Sequence, residues 1–138
     1  MIDKLKVFID SNIPTYASGK DHPNKEISIN FLNEVSEGKI SGLTSVEVMQ
    51  EILYRYYSIN NFSKGLEVFE YFSQIVDEIL PVNIQIVNIS KDLLHKYHLQ
   101  GLLPRDSIHA ATIAYYNLNY IATFDRHFEM LKNIKYYL

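Results

Sequence analysis

The 138-residue chain carries 13 Lys and Arg against 16 Asp and Glu, a formal net charge of -3, and no Cys or Trp. Its length suits one domain, 1–138, that buries roughly two-thirds of its unfolded surface, and the lack of cysteine excludes disulfides and thiolate zinc sites and fits the cytoplasm as the expected location. The acidic balance argues against coating nucleic acid by bulk charge, no apolar run reaches bilayer length, and Met1-Ile2-Asp3-Lys4-Leu5 enters a strand without an export-signal pattern.

The run Leu5-Lys6-Val7-Phe8-Ile9 followed by Asp10-Ser11-Asn12 reads as a buried first strand that stops at a carboxylate. In an open α/β sheet, ligands bind outside the carboxyl ends of the strands, so Asp10 faces a cleft or else closes a local Asx-turn. Ser11 to Ala17 reads as a short helix with Pro14 in its first turn, residues 19–24 as a polar loop, and Ile27, Phe31, Leu32 and Val35 as the apolar spacing of a helix that ends at Gly38. Ile40 to Leu43 is a short second strand.

Thr44-Ser45-Val46-Glu47 matches a capping box in which Thr44 caps the next helix and Glu47 bonds back, leaving Glu51 the freer carboxylate. Glu51 is then a metal ligand or the partner of Arg55 at i,i+4, and Val46, Met49, Leu53 and Tyr56 form the apolar face. A further helix from Ser63, with Leu66, Phe69, Phe72 and Ile75 buried, completes a helical hairpin over about 45–78. The aromatic group Tyr54-Arg55-Tyr56-Tyr57 near its tip can stack on unpaired bases or pack in the core and at a subunit interface.

Ile79 to Val82 reads as a third strand; the β-branched residues from Asn83 to Ser90 are compatible with helix or strand, with helix the preferred reading, continuing through Tyr97 to a stop at Gly101. His95 and His98 lack the companions of a zinc site. Pro104-Arg105-Asp106-Ser107 opens another helix, where the dipole favours Asp106 in the first turn, and Ala110, Ala111, Thr112 and Ala114 allow close approach to a sheet. His109, one turn on, orients Asp106, touches substrate, or is purely structural. Tyr120 to Thr123, then Phe124-Asp125, repeats the strand-then-acid pattern; a short helix through Leu131 and a last strand over Ile134–Leu138 follow. Alternating strands and helices predict a three-layer α/β/α fold with a parallel sheet.

Asp10, Glu51, Asp106 and Asp125 can all reach one end of such a sheet. Like charges gathered there are costly unless protonated or bound to cations, and oxygen ligands select hard Mg2+ or Mn2+. Arg105 and Arg126 are candidates for phosphate contacts. An aspartyl phosphatase of the haloacid-dehalogenase type would need a second Asp where Asn12 stands, and a non-catalytic binding module would have lost acids that are all present.

Phe8-Ile9-Asp10-Ser11-Asn12, Ser45 to Ile52, Asp106-Ser107-Ile108-His109-Ala110-Ala111 and Thr123-Phe124-Asp125-Arg126-His127-Phe128, in this order, resemble the PIN-domain ribonucleases and, among them, the small VapC-like toxins. The resemblance covers the chain end to end. It implies a five-stranded sheet of order 3-2-1-4-5, Asp10, Glu51, Asp106 and Asp125 as the metal-binding and catalytic acids, and Asn12 and Thr123 as polar neighbours. It also implies a homodimer, a cognate antitoxin, and Mg2+- or Mn2+-dependent RNA cleavage, with a housekeeping RNA-processing nuclease as the alternative role. Glu47 is a competing acid within the second motif.

Overall fold

A computed structural model describes residues 3–138; the export-signal reading at Met1 and Ile2 lies outside the described residues. Five strands, β1 (Lys6–Ile9), β2 (Ser41–Ser45), β3 (Glu78–Leu80), β4 (Tyr120–Ala122) and β5 (Lys135–Tyr136), form one sheet in the order β3-β2-β1-β4-β5. Every pairing is parallel, with Phe8 level with both Leu43 and Ile121. This is the order the resemblance implied. Val7, Phe8 and Ile9 are fully buried in the central strand, as parallel strands covered on both faces must be.

Six α-helices join the strands: α1 (Asn12–Ala17), α2 (Pro23–Ser36), α3 (Val46–Ser58), α4 (Phe62–Ile75), α5 (Ile84–Tyr97) and α6 (Pro104–Tyr115). From β1 to β3 the chain steps one way along the sheet, and from β3 it jumps back to β4 on the far side of β1. Right-handed crossovers therefore place α1–α4 on one face and α5–α6 on the other. The helix neighbours agree, with α1 beside α2, α3 beside α4, α4 near both α1 and α2, and α5 along α6. The buried Ser90 and Ser107 hydroxyls meet at 2.6 Å between α5 and α6. No described helix is long and apolar enough to cross a membrane.

The expected capping box is displaced by one residue. Thr44 is the fourth residue of β2, and its Oγ1 donates to the Ile9 carbonyl at 2.9 Å. Ser45 caps α3 instead, accepting from the Val48 N–H at 3.2 Å. The shift turns the helix: Val48, Met49, Ile52 and Tyr56 are buried, whereas Val46 is 45% exposed. In α4 the inward stripe is Gly65, Val68 and Phe72, with Leu66 outside. Gly65 is required by the helix crossing, since a Cβ there would stand 2.7 Å from the Tyr56 Cβ.

The aromatic group at the hairpin divides: Tyr56 is core, while Tyr54 and Tyr57 are exposed. Ala114 is also exposed, so only Ala110, Ala111 and Thr112 serve the close packing of α6. β3 stops before Pro81, which has no N–H to continue a ladder. The helix expected before Leu131 is absent; isolated bonds such as Leu131 N–H to Phe128 O and Ile134 N–H to Leu131 O make successive turns, which leave β5 only two residues long.

Candidate active site

The carboxyl ends of β1 and β4 lie side by side, and the Asp10 N–H extends their ladder to the Ala122 carbonyl at 3.0 Å. Asp10 and Thr123, the next residues after each strand, are consequently held against one another. Thr123 Oγ1 donates to Asp10 Oδ2 at 2.8 Å and accepts from Asn12 Nδ2 at 3.0 Å and from the Asp125 N–H at 3.1 Å. A hydroxyl offers one donor and two acceptor positions, so Thr123 is saturated. Asp10 Oδ1 accepts from the Ser11 N–H at 2.7 Å. That bond reaches only the next residue and closes no Asx-turn, so of the two readings of Asp10 the structure supports the cleft.

Glu51 projects from the second turn of α3 and meets His109 of α6, whose Nε2 donates to Glu51 Oε1 at 2.5 Å and lies 3.8 Å from Asp10 Oδ1. The i,i+4 pairing with Arg55 does not form. Arg105 instead approaches Glu51 Oε2 at 3.9 Å from the start of α6. His109 is therefore set on Glu51 and Asp10, and the imidazole beside Asp106 is another one, His127. Its Nδ1 donates to Asp106 Oδ2 at 3.1 Å and lies 2.9 Å from Asp125 Oδ1. Asp125 also closes a turn by accepting from the His127 N–H at 2.9 Å.

Two groups of potential ligand atoms result, Asp10–Glu51–His109 and Asp106–Asp125–His127, each lying within 4.8 Å of one another. Asp106 connects them electrostatically. Burial, and then the charge of Asp125, push its carboxyl above the ordinary range; His127 opposes this and Asp10 adds to it. Burial drives the His109 pKa down, but the Glu51 hydrogen bond and the charges of Asp10, Glu51 and Asp106 together lift it above its usual value. Its buried Nδ1 has no hydrogen-bond partner.

Four carboxylates from four separated segments are thus assembled at one sheet end, with an imidazole in each group that a purely oxygen donor set did not anticipate. His127 was the residue missed; its place in a turn between an acid and an aromatic gave no periodic signal. Glu47 lines the cavity of about 480 Å³ beside Glu51 and Arg105 but belongs to neither carboxylate group. Arg126 turns to the β5 side, its guanidinium 4.4 Å over the Tyr136 ring. The donor chemistry fits a divalent cation, since a positive ion offsets both the burial of the Asp106 charge and its repulsion by Asp125 and Asp10.

The family pattern described as PIN domain matches residues 7–133. Ribonuclease VapC13 of Mycobacterium tuberculosis is 34% identical over 129 residues, covering 94% of this chain and 97% of the relative. The VapBC2 structure from Rickettsia felis, bound to a DNA fragment from their promoter, superposes with a TM-score of 0.75 at 18% identity, covering 96% of this chain and 97% of that one. A toxin-antitoxin complex from Klebsiella pneumoniae gives a TM-score of 0.65 at 17% identity, covering 94% and 95%.

Proposed function

Because this chain belongs to the PIN-domain family, we propose that it is a divalent-metal-dependent endoribonuclease that hydrolyses RNA phosphodiester bonds as the toxin of a toxin-antitoxin pair. The convergence of Asp10, Glu51, Asp106 and Asp125 on one end of the sheet carries the reading. These acids would hold Mg2+ or Mn2+. Bound there, the ion would lower the pKa of a water and offset charge on the phosphodiester and its leaving oxygen.

The chain's own groups do the positioning. Thr123 restrains Asp10 and, through Asn12, the start of α1; His109 restrains Glu51; His127 spans Asp106 and Asp125. Arg105 is largely exposed beside Glu51 and is free to meet a substrate phosphate. Arg126, stacked on Tyr136, serves at the periphery of the same path.

Near-complete mutual coverage with VapC13 supports the toxin role over an RNA-processing role. Its partners are then RNA, a cognate antitoxin and a second copy of the chain, and it acts in the cytoplasm. The test is incubation of antitoxin-free protein with an end-labelled RNA pool in Mn2+, in Mg2+ and in EDTA, beside Asp10→Asn. Ion-dependent cleavage that vanishes in the variant is the expected result. Cleavage that survives EDTA, or an active Asp10→Asn protein, would sink the proposal.

A further inference from the structure

A second cavity, of about 640 Å³, opens between α1, the loop that follows it, and the ends of the α3–α4 hairpin. It reaches the carboxylate site through Asn12, whose amide bonds Thr123. Arg55 lines both this cavity and the smaller one beside Glu51, so it stands on the ridge between them. In a chain with net charge -3, the wall of the larger cavity carries three fixed cations, Lys20, Arg55 and Lys64, against one carboxylate, Asp21.

None of those cations forms an ion pair among the described residues. Unpaired cations gathered on a concave wall suit an anionic ligand. The cavity also presents aromatic surface: the Tyr16 and His22 rings lie 4.7 Å apart at 35°, and Tyr16 is braced edge-on by Phe124 at 5.3 Å. His22 Nδ1 accepts from the Asn24 N–H at 3.0 Å, so the neutral ring carries its proton on Nε2, which can donate. Lys25 Nζ donates to the Gly19 carbonyl at 2.8 Å and ties down the loop bearing Lys20.

We propose that this cavity is a nucleotide subsite, in which Lys20, Arg55 and Lys64 hold the RNA backbone next to the cleaved bond and Tyr16 with His22 receives an unpaired base. The proposal rests on the nuclease reading above and adds residues that position substrate without touching the reacting atoms. The volume lies within the roughly 300–1,000 Å³ of sites that enclose small ligands. Cations next to a stacking surface are the combination by which proteins hold single-stranded RNA. Continuity with Asn12 places the subsite on the path of a strand already engaged at the acids. An exposed acidic protein segment would meet the cations but would leave the aromatic wall unused.

The experiment uses a Lys20→Gln, Lys64→Gln double variant, with Arg55→Gln as a second variant and Lys20→Arg, Lys64→Arg as the charge-preserving control. A short fluorescein-labelled single-stranded RNA of mixed sequence is titrated against each protein in EDTA over a range of salt, and cleavage of the RNA pool is followed in Mn2+. Losing two backbone contacts should lower the slope of log affinity against log salt by about 1.4 and raise KM roughly tenfold with kcat unchanged. The arginine control should restore both, which a loss of fold would not allow. A wild-type slope and KM in both glutamine variants would overturn the proposal and leave a protein segment as the occupant. If the slope falls as expected while no protein cleaves RNA in any metal, the subsite stands and the nuclease reading fails.

Discussion

Thr123→Val removes one hydroxyl from the most heavily bonded position in the site. Thr123 is fully buried and serves Asp10, Asn12 and the Asp125 backbone at 2.8, 3.0 and 3.1 Å. Valine fills the volume but strands the Asp10 carboxylate oxygen, for which a charged hydrogen bond contributes about 1.5–3 kcal/mol. Asn12 and Asp125 are only half-buried, so water replaces much of what they lose. A net destabilisation of about 2–3 kcal/mol follows, the lost bond to charged Asp10 being the largest part.

With an unfolding entropy of about 2.1 cal/mol/K per residue, that corresponds to a fall in Tm of roughly 7–10 °C for a chain of this size. Asp10 would also swing from its set position, lowering kcat/KM by about 10- to 100-fold, the usual cost of losing a group that orients a metal ligand. Thr123→Ser keeps the hydroxyl and should retain most of the activity while losing about 1 kcal/mol for one buried methyl. Thermal melts and urea titrations in EDTA read the first effect and RNA cleavage in Mn2+ the second. A valine variant within about 0.5 kcal/mol of wild type, still cleaving normally, would refute the hub role of Thr123.

Other substitutions test the charge balance and the packing. Asp106 is held above its ordinary value, so its contribution to metal-free stability becomes less favourable as pH rises through the folded-state pKa. Asp106→Asn should therefore abolish cleavage yet match or exceed wild-type stability near neutrality in EDTA, with the advantage vanishing in acid; a neutral-pH loss of stability would count against the crowding of acids. The His109 pKa is raised above its unfolded value, so its favourable charge is fully present below about pH 6.5 and lost as pH rises through the folded-state value. The stability gap between wild type and His109→Gln should accordingly narrow as pH rises above about 6.5, and denaturation midpoints that move in parallel would contradict this. Gly65→Ala places a Cβ against Tyr56 and should cost about 1–3 kcal/mol despite the better helix propensity of alanine. A higher Tm in that variant would mean the two helices part readily at this crossing.

The strand-then-acid runs at Asp10 and Asp125, and the proline-led helix start before Asp106, are local patterns, and each element forms where its residues predicted it. The resemblance likewise supplied the strand order that the sheet adopts. Local preference does not decide between adjacent caps, however. Thr44 and Ser45 are both good helix starters, and only the Ile9 carbonyl waiting on the neighbouring strand draws Thr44 into β2 and turns α3 by one residue.

Pairing within the site had the same dependence on distant contacts. Glu51 had a sequence neighbour in Arg55 but found His109, 58 positions away, because α3 and α6 lie on opposite faces of the sheet and meet at its carboxyl end. Asp106 had His109 one turn along its own helix but found His127 in the turn after β4. Propensity and periodicity act over a few residues, which is enough to write the strands, the helices and the acids that end or begin them. Which imidazole meets which carboxylate is set by how the helices seat on the sheet, and that is settled only by the packing of the whole core.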